Sequence, residues 1–238
     1  MQELPVNTDH YQREMEEMAS IVSHDLQEPL RMVICFTELL EKRYGQFLDA
    51  DGHEYVRYAN DGAKRMRSML DDLREYTRIT TRGTELVPTD SQSVLRQVIQ
   101  LLDSKIQQLG ADLAVLGKMP MVMADQKQLY ILFKQLLDNA LKFYPRERKP
   151  EIQIGAEEQG RFLRFFVRDK GVTIDSRYHQ QIFRVFSTLH AKNEFAGTGM
   201  GLAICKKIIE RHGGQIGVNN LKEGGKEFYF TLKRPEDN

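Results

Sequence analysis

Two apolar stripes in the opening third of this chain constrain its fold more than any other feature. Val22, Leu26, Pro29, Val33, Phe36 and Leu40 recur at alternating steps of four and three, and Val56, Ala59, Ala63, Met66, Leu70, Leu73 and Thr77 at steps of three and four. Such spacing marks helices packed lengthwise along a coiled-coil-like seam. It predicts one helix from about Asn7 to Tyr44, with Met15 and Met18 extending the stripe upstream, and a second from about His53 to Thr80. At 1.5 Å per residue the first would run roughly 55 Å, too long for one compact layer. Gly45 and Asp49-Ala50-Asp51-Gly52 supply the turn between them. Such a hairpin buries only one side of each helix, and two copies would complete a four-helix bundle. A homodimer is expected, with packing of the stripe on the rest of the chain as the alternative.

His24 lies off that seam and faces solvent or whatever docks from solvent. Asp25 follows it directly. A carboxylate beside an imidazole can hold one ring nitrogen as N–H and leave the other with a free lone pair, which prepares a nucleophile. Pro29 lacks an N–H and clashes with the preceding turn, so it is expected to kink the helix after His24. Taken alone, the same residues also describe an ordinary surface histidine.

The chain has 238 residues, with Lys+Arg and Asp+Glu balanced at 34 each. A zero net charge gives no general affinity for polyanions, so no nucleic-acid partner is expected. The two cysteines, Cys35 and Cys205, fall inside helical patterns and are expected as small buried thiols in a reducing compartment. There is no apolar run of membrane-spanning length and no signal-peptide core. The expected setting is cytoplasmic, or the cytoplasmic part of a longer protein.

Thr81-Arg82-Gly83-Thr84 breaks the helical pattern and reads as a boundary between domains 1–82 and 83–238. Beyond it, Glu85-Leu86-Val87 reads as a strand and Pro88-Thr89-Asp90 as a turn with an N-cap, leading into a helix from about Ser91 to Leu109. Strands are expected at Ala111 to Leu116, Met121 to Met123, Ile152 to Ala156, Phe162 to Arg168, Gln215 to Val218 and Glu227 to Leu232. Helices are expected from about Gln126 to Phe143, capped by Asp125, and from about Met200 to His212. Strands and helices mix without a strict βαβ repeat, which predicts an α+β domain with a mixed sheet under a helical layer.

Three stretches of this second domain carry chemistry. In Gln135-Leu136-Leu137-Asp138-Asn139-Ala140-Leu141-Lys142-Phe143, Asn139 and Lys142 share a helix face. An amide oxygen beside an ammonium suits a metal-bound triphosphate, the oxygen on Mg²⁺ and the lysine on phosphate, although a solvated polar face reads the same way. Asp169-Lys170-Gly171-Val172-Thr173 follows a strand and presents one carboxylate in a tight turn, either as an acceptor for the amine of adenine or as a plain strand end. Gly197-Thr198-Gly199-Met200-Gly201-Leu202 opens a helix, where bare backbone and the helix N-terminus favour phosphate. It is neither a P-loop, since no Gly-Lys-Ser/Thr follows, nor a good dinucleotide fingerprint, since a polar loop precedes it instead of a strand. That loop, Ser187 to Ala196, could close over a nucleotide as a lid.

Together these stretches resemble the catalytic core of a sensor histidine kinase, particularly its phytochrome-like branch. His24-Asp25-Leu26-Gln27-Glu28-Pro29-Leu30 looks like the H box, and Leu137 to Phe143 looks like the N box. Asp169-Lys170-Gly171 looks like the first glycine box, Ile182 to Phe186 like the F box, and Gly197 to Ile204 like the second glycine box. His212-Gly213-Gly214 matches the turn that follows. The boxes come in family order over nearly the whole chain. The resemblance implies a dimeric helical hairpin domain and an ATP-binding sandwich of the Bergerat type. It implies autophosphorylation of His24 by MgATP and transfer to an aspartate of a response regulator, with a sensory segment expected upstream of residue 1. Asp25 would orient or deprotonate His24. Asn139 would bind Mg²⁺, Lys142 would contact phosphate, and Asp169 would accept from the adenine amine. Gly171, Gly197, Thr198, Gly199, Gly201 and Leu202 would shape the nucleotide loop, and Phe183 and Phe186 would anchor the lid.

Three positions depart from the family pattern. Thr173 stands in place of the second glycine of the first box, Lys170 in place of a small or amide residue, and Gln135 in place of the asparagine that opens the N box. Weaker nucleotide use is expected, with a catalytically poor scaffold that dimerises and binds a regulator as the alternative. A chaperone- or gyrase-like ATPase is disfavoured, because Gln135 cannot act as the base that activates water. Glu28, four residues after His24, would repel an acyl phosphate and predicts weak phosphatase activity.

Overall fold

The computed structural model describes residues 8–145, 147–188 and 197–235, with side chains described from Ile21 onward. The chain divides into two compact units, Met1–Thr81 and Arg82–Asn238.

The first unit is a helical hairpin of α1 (Thr8–Tyr44), a 3-10 turn (Gly45–Phe47) and α2 (Ala50–Thr81). α2 starts three residues before the position expected from sequence, inside the stretch read as turn. The reason is a side-chain cap: Asp49 Oδ1 accepts from Gly52 N at 2.8 Å, and the Asp49 carbonyl accepts from His53 N at 3.1 Å. α1 runs on through Pro29, whose missing N–H leaves the Asp25 carbonyl without its helical donor. Polar pairs join the two helices. Asn60 Nδ2 donates to Thr37 Oγ1 at 2.8 Å, Gln27 Nε2 donates to Asp71 Oδ1 at 2.8 Å, and Lys64 meets Glu38 at 2.8 Å. The α1 positions turned toward α2 are thus Gln27, Ile34, Thr37 and Glu38. The regular apolar stripe lies beside them and stays exposed: Val22, Leu26, Val33, Phe36 and Leu40 are between 41% and 59% accessible. Cys35 is exposed on the same helix, against the expectation of a buried thiol, because it follows Ile34 one step around the helix; Cys205 is buried.

The second unit is a two-layer sandwich. Its mixed sheet has the order β2 (Asp112–Leu116), β4 (Glu151–Gln159), β5 (Phe162–Asp169), β7 (Lys226–Lys233), β6 (Ile216–Asn220). β2 runs parallel to β4 and every other pair is antiparallel. A separate ribbon pairs β1 (Val87–Asp90) with β3 (Met121–Ala124). The expected Pro88-Thr89-Asp90 turn is therefore strand, and Pro88 is tolerated because a two-stranded ribbon leaves one side of each strand unpaired. Asp90 still caps the next helix, accepting from Gln92 N at 3.0 Å.

Helices α3 (Ser91–Leu109), α4 (Gln126–Lys142) and α5 (Gly201–Arg211) form the other layer. α4 is apolar at Leu129, Leu132, Phe133, Leu136, Leu137, Ala140 and Leu141, a stripe of helical period that is buried throughout. Alternate residues of the central strands meet it: Leu163, Phe165 and Val167 on β5, and Phe228, Phe230 and Leu232 on β7. Phe165 stacks on Phe230 with ring centres 5.0 Å apart, and Phe133 meets both rings edge-on at 6.1 and 5.8 Å. These contacts fix the height of α4 over the sheet, and so the position of the polar residues at its C-terminal end.

Candidate functional site

The hairpin and the sandwich each carry one group of reactive residues. On α1, His24 and Asp25 have side chains 78% and 74% exposed, with His24 Nδ1 3.2 Å from Asp25 Oδ1. Nδ1–H donates to that carboxylate when the ring is neutral, which leaves the Nε2 lone pair facing out. Glu28 is exposed one turn further on.

In the sandwich, three elements converge. α4 contributes Asn139 and Lys142 in its last turn, both half-buried. The Lys142 ammonium lies 4.6 Å from the centre of the Phe143 ring. Burial pushes the Lys142 pKa down, Lys105 adds to this by repulsion, and Asp138 opposes it. Asp138 itself pairs with Lys105 at 2.9 Å.

The C-terminal end of β5 contributes Asp169, which is 2% exposed. Its Oδ1 accepts from Gly171 N at 2.9 Å and from the Lys226 ammonium at 2.8 Å. Its Oδ2 is buried and has no hydrogen-bond partner among the described residues. Burial pushes this carboxyl up, and the Lys226 charge and the hydrogen bonds oppose it without winning. Gly171 has no room for a side chain: a Cβ there would run into the Phe143 carbonyl oxygen and Asp169 Oδ1.

The start of α5 contributes the glycine-rich turn. A Cβ at Gly197 would run into the Lys142 ammonium, and one at Gly201 would lie 2.7 Å from Gln135 Oε1. Gly199 has φ +76°, and a side chain there would lie 2.7 to 2.8 Å from the Phe186–Ser187 backbone. Phe186 itself sits at φ +57°. Thr198 Oγ1 accepts from Met200 N at 3.2 Å, and Leu202 is half-buried in the first turn of α5.

The structure thus brings the second glycine-rich turn, Lys142 and Gln135 into contact. Of the two phenylalanines expected as lid anchors, Phe183 is a core residue, edge-on to Phe228 at 6.5 Å, and Phe186 is exposed. The lid expectation itself rests mostly on residues 189–196, which lie outside the described residues. Lys170 pairs with Glu151 at 2.5 Å, and Thr173 is exposed.

Lys226 escaped the sequence reading. The signal was available: strand alternation puts position 226 on the same face as Phe228, Phe230 and Leu232, so a lysine there must be buried. His212 was read only as part of a turn. It is buried, accepts from Asp125 N at 3.1 Å through Nε2, and donates to the Ile208 carbonyl at 2.8 Å through Nδ1.

The exposed histidine of the hairpin and the buried carboxylate of the sandwich fall in the two stretches of the chain that known families match. Residues 14–82 match the His Kinase A (phospho-acceptor) domain. Residues 124–236 match the histidine kinase-, DNA gyrase B-, and HSP90-like ATPase family. The chain belongs to the histidine kinase family. Similar curated proteins are the phytochrome-like protein Cph1 of Synechocystis sp., 40% identical over 97% of this chain, and cyanobacterial phytochrome A of Nostoc sp., 41% identical over 92%. This chain spans 30% and 28% of their respective lengths. Among solved structures it is similar to full-length ShkA in complex with AMPPNP, at TM-score 0.67 and 26% identity, covering 93% of this chain and 47% of that one. It is also similar to the catalytic domain of histidine kinase ThkA, at TM-score 0.55 and 29% identity, covering 64% of this chain and 100% of that one.

Proposed function

We propose that this chain is the kinase core of a two-component sensor: it phosphorylates His24 from MgATP and passes the phosphoryl group to an aspartate of a response-regulator receiver domain. The observation that carries this reading is the exposed His24 with Nδ1 engaged by Asp25. Nε2 forms the bond to the γ-phosphorus while the bond to the ADP oxygen breaks, and Asp25 stabilises the positive charge that develops on the ring. In the sandwich, Asp169 Oδ2 is an orphaned acceptor suited to the exocyclic amine of adenine. The turn at Gly197, Thr198, Gly199, Gly201 and Leu202 offers bare backbone beside Lys142, a fit to phosphate oxygens. Asn139 offers a hard oxygen to Mg²⁺, which binds with one or two protein ligands plus phosphate and water, and which would neutralise charge on the phosphates.

The alternative of a silent scaffold draws on Lys170 and Thr173. Lys170 is held by Glu151 and Thr173 is exposed, so neither side chain is bonded to the Asp169 carboxylate, which favours the kinase. The exposed apolar stripe of α1 supports a homodimer in which a second hairpin covers it. No helix among the described residues is long and apolar enough to cross a membrane. Glu28 places a negative charge where an acyl phosphate would be hydrolysed, so phosphatase activity is weak. The test is incubation with radiolabelled MgATP beside His24→Ala. Acid-labile label on the wild type, and at least a hundredfold less on the variant, is expected; equal labelling of both sinks the assignment.

A further inference from the structure

Lys226 opens β7 in register with Asp169 across the β5–β7 pair. Gly225, just before it, lets the two strand ends close together, since a Cβ there would run into the Asp169 carbonyl oxygen. The Lys226 ammonium donates to Asp169 Oδ1 at 2.8 Å and to the Val172 carbonyl at 3.0 Å, so it ties the carboxylate to the turn that follows β5. The two side chains of this ion pair are 3% and 2% exposed. Oδ1 accepts a second bond from Gly171 N, while Oδ2 is buried and unpartnered among the described residues. Two donors on one oxygen fix the plane of the carboxylate and leave Oδ2 as the open acceptor.

That arrangement serves a base only while the group is ionised. With Oδ1 held by two donors, a proton would settle on Oδ2 and turn the acceptor into a donor, set against the N–H of an adenine amine. Burial favours that proton, and Lys226 leads the groups that oppose it. The other charged groups on the surrounding elements stand elsewhere. Lys170 pairs with Glu151 at the β4–β5 edge, Lys222 and Glu223 lie in the loop before β7, and Lys142 ends α4 against the glycine-rich turn. Among the described residues, Lys226 is the cation bonded to the carboxylate. We propose that Lys226 is a positioning residue for nucleotide binding, which keeps Asp169 ionised with Oδ2 open to the base and so makes the base contact independent of pH around neutrality. This rests on the reading of Asp169 as the base acceptor given above.

The test compares ATP with purine riboside triphosphate, which lacks the 6-amino group, as displacers of trinitrophenyl-ATP from the whole chain at pH 6.5 and 9.0. The ratio of the two affinities isolates the amine contact, because titration of the phosphates and of Lys142 affects both nucleotides alike. The wild type is expected to bind ATP about tenfold or more tightly at both pH values, the weight of one hydrogen bond to a charged group. In Lys226→Met, and in Lys226→Gln, which keeps a donor without the charge, the ratio is expected to survive at pH 9.0 and to fall by about tenfold at pH 6.5. A variant ratio equal to that of the wild type at both pH values overturns the inference and leaves the nucleotide reading standing. So does a ratio lost equally at both, which marks a merely structural role. Should neither variant fold, the wild type decides: a constant ratio upholds the inference, and one that falls from pH 9.0 to 6.5 overturns it. Equal binding of the two nucleotides by the wild type at both pH values overturns the reading of Asp169 as the base acceptor. Displacement by neither overturns the nucleotide site itself, and this inference with it.

Discussion

His212 and Asp125 show how single residues hold the sandwich. The ring of His212 is neutral when Nε2 accepts from Asp125 N and Nδ1 donates to Ile208. Burial pushes its pKa down, with the Arg211 charge adding to this and the Ile208 carbonyl and Asp125 opposing. An unfolded histidine takes up its proton near pH 6.5. Below that pH the unfolded chain binds more protons than the folded one, so stability is full above it and falls as the pH drops. Urea unfolding at pH 7.5 and 5.5 is expected to show this loss, and His212→Gln to show a smaller one. Asp125 gathers the N-terminal ends of several segments: burial alone would raise its pKa, but N–H donors from Thr84, Gln128 and Lys127 outweigh it and hold it low. Asp125→Ala removes a helix cap and those bonds together, and about 1–2 kcal/mol of stability is expected to go with the cap alone, measurable by thermal unfolding.

At the scale of elements, the turn from α5 into β6 is the tightest joint. A Cβ on Gly214 would run into the Thr231 carbonyl oxygen, a backbone atom held by the β7 ladder. Gln215 is bonded on both sides, its N donating to Thr231 Oγ1 at 2.9 Å and its carbonyl accepting from Thr231 N at 2.8 Å. Gly214→Ala is expected to destabilise the sandwich by about 1–3 kcal/mol, since neither strand can give way; a urea midpoint equal to the wild type would refute this. Element type was legible for every α-helix and for most strands, because periods of 3.6 and 2 are strong over these lengths. The errors fell at ends. Asp49 was read as turn although it caps α2. Asp90 was read as a turn residue and N-cap; it does cap α3, and it also ends β1.

For the whole molecule, the decisive surface is the exposed stripe through Val22, Leu26, Val33, Phe36 and Leu40. Contiguous apolar area of this kind on a helix marks an interface, and a second copy of the hairpin matches its length and pattern. Phe36→Asp with Leu40→Asp is expected to turn a dimer into a monomer in sedimentation velocity, with helix content kept by circular dichroism. The wild-type melting temperature is expected to rise with protein concentration, as mass action requires for a dimer and not for a monomer. A monomeric wild type at micromolar concentration would remove this proposal and leave the nucleotide reading untouched.

Read alone, the sequence determined the helical hairpin and the α+β second unit, because periodicity and ordered motifs are local properties of the chain. Tertiary structure decided which stripe of α1 faces α2, since helices of one period can pack on adjacent faces, and polar pairs such as Asn60 with Thr37 choose between them. It also decided that Lys170 pairs with Glu151 while Lys226 pairs with Asp169. The first pairing joins the first residue of β4 to the residue just past the end of the neighbouring β5, and the second joins residues that are distant in the chain and brought opposite one another by the β5–β7 register. Which cation meets a buried carboxylate is set by strand order, and strand order is a property of the folded sheet.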